Sequence, residues 1–165
     1  MWKVKKSLVH GHGVFATRQI KKNEQIIQYI GEKITKKEGD KRSNNRIQKY
    51  LKSNKTGSVY IFELNKKYDL DGSPLYNKAR YINHSCEPNC EVEIDNEKIW
   101  IKSIKKIRKG EELTYDYGYE FDKDDYKDHE CKCGSKDCIG FIISSDEWFK
   151  YLNHIKKLVS KKTKK

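Results

Sequence analysis

Several short stretches of the chain are rich in β-branched and aromatic residues and are bounded by turn-forming residues. Gln25–Ile34 follows the turn signal Lys22-Asn23, and Val59–Leu64 has a similar composition later in the chain. Such residues fit the pleated, half-buried surface of a strand. The pattern therefore predicts two strands in the first half of the chain.

The second half of the chain repeats this pattern. Cys90–Ile94 and Ile99–Ile101 flank Asp95-Asn96, which predicts a β-hairpin. Arg108-Lys109-Gly110 then predicts a turn before a further strand over Glu112–Tyr117. Together these segments predict a mostly β domain.

A polar stretch separates the two early strands. Residues 35–57 contain Lys, Asn, Ser and Gly throughout, which is typical of a variable insert. Within them Arg46–Leu51 predicts a short helix, because Ile47, Tyr50 and Leu51 fall on one side of it.

The C-terminal segment has helical rather than strand periodicity. Ser144 and Glu147 have the spacing of a capping box. Six apolar residues then fall close to one helical face: Trp148, Tyr151, Leu152, Ile155, Leu158 and Val159. We predict a helix from about 145 to 160 that packs on the domain, followed by a disordered basic tail over 161–165.

Length and composition set the scale of the fold. The 165 residues are enough for one domain with one core, and apolar residues (35%) barely balance charged ones (36%). A core this small predicts additional stabilisation, which a metal ion would provide. No run approaches the roughly 20 apolar residues of a membrane helix, so we expect a soluble protein without membrane association.

Charge is high and unevenly distributed. The net charge of +12 favours contact with polyanions such as nucleic acid or chromatin, although a lysine-rich surface can also serve solubility alone. Glu111–Glu130 runs against this trend, with nine acidic residues and two lysines. This segment is either an acidic rim that receives a cationic substrate or a solvated acidic loop.

Five cysteines, an odd number, indicate metal binding in a reducing compartment rather than a disulfide framework. Cys131, Cys133 and Cys138 lie within eight residues, and Cys86 can supply the fourth thiolate of tetrahedral zinc. The alternative is a set of unpaired buried cysteines. Cys90 is interpreted as a small buried residue, with a role as substitute ligand left open.

Tyrosine and polar side chains recur near the same motifs. Tyr115 and Tyr117 alternate on a predicted strand, so their side chains share one face. Tyr29 ends an apolar run, and Asn83 and His84 follow another. Two adjacent polar side chains at such a position are costly to bury unless they meet a ligand or each other.

Taken together, the motifs resemble the SET-domain family of protein lysine methyltransferases over about residues 7–142. Asn-His-Ser-Cys-Glu-Pro-Asn-Cys at 83–90 is especially similar to the trithorax branch of that family. The resemblance rests on segments in this order: Gly11–Ala16, Tyr29–Glu32, Arg80–Cys86, Glu112–Tyr117 and the post-SET Cys-x-Cys-Gly at 131–134.

The resemblance implies a SET fold of small curved sheets with short helices, in which Asn83–Cys86 and Tyr115–Tyr117 form a pseudoknot. It implies a SET domain with its post-SET zinc segment over 1–142, in which the post-SET part covers about 119–142. The C-terminal helix, residues 143–160, would follow.

The resemblance also implies the ligands and their residues. S-adenosylmethionine would contact the following residues: His10, His12, Tyr60, Asn83, His84 and the backbone near Lys132. A substrate lysine would enter past Tyr29, Tyr115 and Tyr117, with Tyr117 closest to the chemistry and Tyr115 limiting the number of methyl groups. Zinc would be held by the four cysteines above.

The implied activity is mono- or dimethylation of a lysine, with a histone tail or nucleosome as substrate and the nucleus, or a host nucleus, as location. Two alternatives stay open. The first is a lysine methyltransferase that acts on a non-histone protein. The second is an inactive chromatin or nucleic-acid adaptor that keeps the fold, the zinc and the basic surface.

Overall fold

The computed structural model describes residues 1–53 and 60–162. Its strands are short, and the bounds in chain order are β1 Trp2–Lys6, β2 His12–Ala16, β3 Gln25–Tyr29, β4 Glu32–Thr35, β5 Ile61–Glu63, β6 Tyr68–Asp71, β7 Asn83–His84, β8 Cys90–Asp95, β9 Lys98–Ser103 and β10 Thr114–Tyr115. Helix α1 spans Lys36–Ser53 and helix α2 spans Trp148–Lys162. Single 3₁₀ turns lie at Lys78–Tyr81, Tyr126–Asp128 and Ser145–Glu147.

The strands form four small sheets, which confirms the predicted mostly β architecture. β1 pairs with β2, β9 lies between β3 and β8, and β6 lies between β4 and β5, all antiparallel. β7 and β10 form a parallel pair in which Thr114 lies opposite Asn83 and Tyr115 opposite His84. This pairing joins the two segments that the pseudoknot requires.

The predicted hairpin is confirmed, with its turn one residue later than expected. β8 and β9 are connected by Asn96 and Glu97, whose φ angles of 47° and 58° are both positive. Two consecutive left-handed residues are typical of the type I′ turn that matches the twist of a hairpin.

Two strand predictions were too long. Gln25–Ile34 divides into β3 and β4, which belong to different sheets, because the chain turns at Gly31. A Cβ atom there would lie 2.2 Å from the carbonyl oxygen of Asp71, so only glycine permits this close approach. Glu112–Tyr117 is reduced to the two residues of β10. The strand expected from Val59 begins at Ile61, and residues 54–59 lie outside the described part of the chain.

Helix α1 is three times as long as the predicted Arg46–Leu51 helix, with 18 residues. Charge rather than an apolar face attaches it to β6, since Arg42 and Arg46 both bind the Asp71 carboxylate. Ile47 is 42% exposed, and the side chains of Tyr50 and Leu51 lie outside the described set.

The structure contains a main core and a smaller aromatic core, and residues of the post-SET segment belong to the smaller one. The main core contains β-branched and aromatic residues from β2, β3 and β9, including the fully buried Ile99 and Ile101. The second core joins Tyr126 and Ile143 to Tyr151 of α2. Helix α2 therefore packs as predicted.

Two details of α2 differ from the prediction. The Ser144 side chain makes no capping hydrogen bond, because the 3₁₀ turn at Ser145–Glu147 precedes the helix. Leu152, Leu158 and Val159, expected on the packed face, are 48%, 40% and 56% exposed. The helix continues to Lys162, and residues 163–165 lie outside the described part. In the described ranges, neither helix has both the length and the apolar composition that spanning a bilayer requires.

Candidate active site and thiolate cluster

Asn83 links the parallel strand pair to the glycine-containing segment before β2. Its amide nitrogen donates to the Glu112 carboxylate at 2.6 Å and to the His12 carbonyl oxygen at 3.1 Å, with a longer contact to that of His10 at 3.4 Å. Glu112 also accepts a hydrogen bond from the Ser7 hydroxyl. A Cβ atom on Gly13 would lie 2.1 Å from Glu112 Oε1, so glycine is required for this arrangement.

His84 lies between Tyr117 and the thiolate cluster, by which we mean the side chains of Cys86, Cys131, Cys133 and Cys138. Its Nδ1 accepts the backbone N–H of Tyr117 at 3.2 Å, which leaves the proton of the neutral ring on Nε2. Nε2 lies 3.7 Å from Cys86 Sγ, within reach of an N–H···S hydrogen bond. The two rings of His84 and Tyr117 also meet edge to face, with centroids 5.4 Å apart.

The three predicted tyrosines belong to one aromatic cluster. The rings of Tyr115 and Tyr117 are 5.0 Å apart, and Phe62 lies between Tyr29 (4.6 Å) and Tyr115 (6.0 Å). Tyr119 extends the cluster from Tyr117 at 6.0 Å. Four tyrosines and Phe62 therefore form this cluster.

Hydrogen bonds to backbone carbonyl groups fix the hydroxyl groups of two of these tyrosines. Tyr117 donates its hydroxyl proton to the Ile82 carbonyl at 3.0 Å, and Tyr29 donates to the Tyr60 carbonyl at 3.2 Å. Each phenol oxygen therefore keeps acceptor capacity. Burial raises the pKa values of Tyr29, Tyr115 and Tyr117 well above the ordinary value for tyrosine, so all three stay neutral near pH 7.

Four cysteine sulfurs converge at the other side of His84. The Sγ atoms of Cys86, Cys131, Cys133 and Cys138 all lie within 4.8 Å of one another. Cys86 Sγ is 3.8 Å from the sulfurs of both Cys131 and Cys138. Tetrahedral zinc with Zn–S bonds of about 2.3 Å separates its sulfurs by about 3.8 Å, so the cluster fits a metal ion of this kind.

The chemistry of the cysteines agrees with that geometry. Burial raises the pKa of the Cys86 thiol to about 12, so this side chain is protonated near neutral pH unless a cation stabilises its thiolate. A divalent ion would supply that cation. Cys90 is buried and donates to Asn89 Oδ1, outside the cluster, which agrees with its interpretation as a buried residue.

Tyr60 and Lys132, the other two residues predicted to bind the cofactor, contact charged side chains. The Arg80 guanidinium stacks on the ring of Tyr60 at 4.2 Å, and its buried Nε has no hydrogen-bond partner among the described residues. This donor suits an anionic group such as a carboxylate. Lys132 lies between two clustered cysteines, with an exposed side chain that pairs with Glu130 at 3.0 Å.

Comparison with known proteins identifies the family. The SET domain family matches residues 11–118. The chain belongs to the SET-domain family. It is 38% identical over 141 residues to the histone-lysine N-methyltransferase, H3 lysine-4 specific, of Emericella nidulans, covering 83% of this chain and 11% of that protein.

Two other relatives of this SET chain have similar names. The histone-lysine N-methyltransferase, H3 lysine-4 specific, of Saccharomyces cerevisiae is 37% identical over 83% of this chain and 13% of its own length. Human histone-lysine N-methyltransferase 2D is 37% identical over 81% of this chain and 2% of its own length. The chain thus spans only a small fraction of the length of these relatives.

Most of the predicted site residues are in mutual contact, and several residues that support them were not predicted. Asn83 meets the backbone at His10 and His12, while His84 meets Tyr117 and Cys86. Glu112, Phe62 and Arg80 were missed as site residues. The only available signal was that Glu112 and Arg80 belong to recognised motifs, and nothing in the sequence distinguishes Phe62 from a core residue.

Proposed function

We propose that this chain is an S-adenosylmethionine-dependent protein lysine N-methyltransferase that adds one or two methyl groups to a lysine of a histone tail. The observation that carries the proposal is the tyrosine cluster, which lies beside the Asn83–His84 pair. The names of two relatives favour histone H3 as the substrate, and chromatin in the nucleus, or a host nucleus, as the location.

S-adenosylmethionine, when bound, supplies a methyl group on a sulfonium centre to a nucleophile. We assign its binding to the following residues: His10, His12, Tyr60, Asn83, His84 and the backbone near Lys132. The unpartnered donor of Arg80 fits the carboxylate of the cofactor, and Asn83 holds the glycine segment at the site through the His12 carbonyl.

The tyrosines prepare the lysine. An exposed lysine amine has a pKa near 10.4, so only about one in a thousand is neutral near pH 7.4. Deprotonating the ammonium form at this pH costs roughly 4 kcal/mol. Ring surfaces of Tyr29, Tyr115 and Tyr117 disfavour the ammonium form by desolvation. The oxygen of Tyr117, whose own proton is bound to the Ile82 carbonyl, accepts an N–H of the amine and orients its lone pair.

Tyr115 is the residue to which we assign product control. Its side chain is 6% exposed and lies against Tyr117, so space beside the amine is restricted. Each hydroxyl group that binds the amine occupies volume that an added methyl group would need. A site with two neighbouring phenols therefore favours mono- and dimethylation.

We assign zinc to Cys86, Cys131, Cys133 and Cys138. Its role is structural, because four protein thiolates leave no open coordination position. The ion would join the post-SET segment to the strand pair that carries Asn83 and His84.

The acidic segment is a candidate entrance for a basic tail. Six acidic residues in it are exposed: Glu120, Asp122, Asp124, Asp125, Asp128 and Glu130. The ring of Tyr119 contacts Tyr117 and also His129, which lies between Asp128 and Glu130 in the sequence. Complementary charge would guide a lysine- and arginine-rich peptide towards the tyrosines.

A radiolabelled methyl-transfer assay on purified histones and on a whole lysate tests the proposal. We expect label on histone H3 with the wild-type chain. Label confined to another protein would replace the substrate with a non-histone one. Absence of label with folded, zinc-loaded protein would leave the inactive adaptor as the function.

A further inference from the structure

Two adjacent loops at the Ala16 end of β2 form one cationic surface. Residues 17–24 and 104–111, which we name the basic loop pair, carry two carboxylates, Glu24 and Glu111. Against these they carry seven exposed cationic side chains: Arg18, Lys21, Lys22, Lys105, Lys106, Arg108 and Lys109.

Backbone hydrogen bonds hold the two loops together. Ile20 and Ile107 exchange N–H···O bonds of 2.9 and 3.0 Å, and both side chains are fully buried. The Ser103 hydroxyl donates to the Lys21 carbonyl, while the Ala16 carbonyl accepts the N–H of Gly110. The cationic surface is therefore preformed, and a ligand does not need to order these loops on binding.

Most of this charge is uncompensated. Within residues 1–53 and 60–162, only Arg18 of the seven cations forms an ion pair, with Glu24. Elsewhere Lys33 and Lys102 pair with carboxylates, whereas other lysines such as Lys37 and Lys156 form no ion pair among the described residues. The loop pair differs from these single lysines because its cations are gathered on two adjacent loops. Six exposed cations without a carboxylate partner favour an external polyanion.

We infer that the basic loop pair binds the phosphate backbone of duplex DNA without reading its sequence. The two loops contain no aromatic side chain, so they lack the groups on which bases stack. Lysine acts as a point charge towards phosphate, and such contacts set position rather than sequence preference.

The location of the loop pair leaves the candidate active site accessible. The loops meet β2 at Ala16, whereas Asn83 contacts the chain at His12, at the other end of the same strand. Four residues of strand span about 13 Å. This separation keeps the loop pair away from the backbone that Asn83 contacts. We expect that DNA held here and a peptide at the tyrosines can be bound at the same time, as on a nucleosome.

Fluorescence anisotropy with a labelled duplex of about 20 base pairs, at about 50–200 mM salt, tests the inference. The test variant neutralises four lysines of the loop pair: Lys21→Gln, Lys22→Gln, Lys105→Gln and Lys106→Gln. The control variant removes the same charge from the two helices: Lys37→Gln, Lys156→Gln, Lys157→Gln and Lys161→Gln.

We expect the test variant to bind DNA roughly tenfold more weakly or worse, with a salt slope reduced by about three to four, since each lost phosphate contact removes about 0.9. The control variant should keep most of its affinity. Equal loss in both variants, no loss in the test variant, or no DNA binding by the wild-type chain would overturn the inference. Equally tight wild-type binding to polyglutamate would overturn the assignment to phosphate.

A second measurement separates this inference from the proposed activity. The anisotropy assay needs no methyl donor, so an inactive chain can still confirm DNA binding. If the chain is active, the test variant should methylate a free histone peptide at the wild-type rate and nucleosomes more slowly. Equal rates on nucleosomes would count against a DNA contact during catalysis. Matching thermal unfolding of both variants excludes misfolding.

Discussion

The backbone N–H of Tyr117 donates a hydrogen bond to His84, and its hydroxyl group donates to the Ile82 carbonyl oxygen. In the proposed function, these contacts leave the phenol oxygen as the acceptor that would orient the substrate amine. We expect Tyr117→Phe to lower kcat about 10²–10³-fold, the usual effect of losing one positioned polar group in an active site. Affinity for S-adenosylmethionine, measured by calorimetry, should change little.

Tyr76→Phe is the matched control for that experiment, because Tyr76 is 61% exposed and lies outside the aromatic cluster. It should keep wild-type turnover. Full activity of Tyr117→Phe would mean that the reacting centre lies elsewhere.

A second prediction concerns Tyr115 and the number of methyl groups that the chain adds. Removing its hydroxyl frees volume beside the Tyr117 ring, 5.0 Å away. We expect Tyr115→Phe to shift the product towards higher methylation, read by mass spectrometry of a peptide substrate. A wild-type enzyme that already yields mainly trimethyl-lysine would contradict this role.

The sequence predicted the residues whose chemistry is unusual in a core. Adjacent Asn83 and His84, and four cysteines at metal-binding spacing, are rarely placed together for packing alone. Phe62 could not be found in this way, since a phenylalanine in a short strand has the same pattern whether it packs or lines a site. Its place between Tyr29 and Tyr115 depends on how β5 meets β3, which is tertiary information.

Among the elements, α1 shows the limit of apolar periodicity. Its described side chains are polar apart from Ile47, which is 42% exposed, and the helix is stabilised by the Arg42–Glu38 pair within it and by Arg42 and Arg46 at Asp71. Asp71 lies 25 residues from Arg46 and 29 from Arg42 in sequence, so the pattern predicted only a short helix. Strand boundaries failed for a similar reason, because Gly31 breaks the Gln25–Ile34 run where Asp71 approaches.

The attachment of α1 to β6 through Asp71 predicts a stability that depends on pH. Burial acts to raise the pKa of Asp71, but hydrogen bonds from Arg46 and Arg42 outweigh burial and hold the pKa well below the usual range. The stabilisation is full above the unfolded value near 3.9 and is lost as pH falls through the folded pKa. Asp71→Asn should lower the free energy of unfolding by about 2 kcal/mol at pH 7.

Urea unfolding at pH 7 and at about pH 2 checks this expectation. The difference between wild-type and Asp71→Asn proteins should shrink at the lower pH. Asp40→Asn, on the exposed side of α1, is the control and should be nearly neutral at both. An Asp71→Asn effect that does not depend on pH would show that the carboxylate charge is not what attaches α1.

At the scale of the whole molecule, the thiolate cluster connects the two cores. Cys86 follows β7 in the main fold, while Cys131, Cys133 and Cys138 lead into the segment that packs with α2. Removing the metal with a chelator should cost several kcal/mol of stability, and a loss of about 4 kcal/mol lowers the melting temperature by roughly 10 °C.

Metal analysis and thermal unfolding, with Cys86→Ser beside the chelated wild type, test this expectation. Both samples should lose zinc and melt early. Cys90→Ala should keep one zinc per chain, because Cys90 lies outside the cluster. A chelated protein that melts like the zinc-loaded one would contradict a structural role for the ion.

The central claim is that the buried phenols present a neutral lysine to a methyl donor. Mass spectrometry of recombinant nucleosomes after incubation with the zinc-loaded chain and isotope-labelled S-adenosylmethionine tests it most directly. The account predicts labelled mono- and dimethyl-lysine on histone H3 with the wild-type protein and almost none with Tyr117→Phe. Absence of labelled lysine on the nucleosomes, or equal labelling by both proteins, would contradict it.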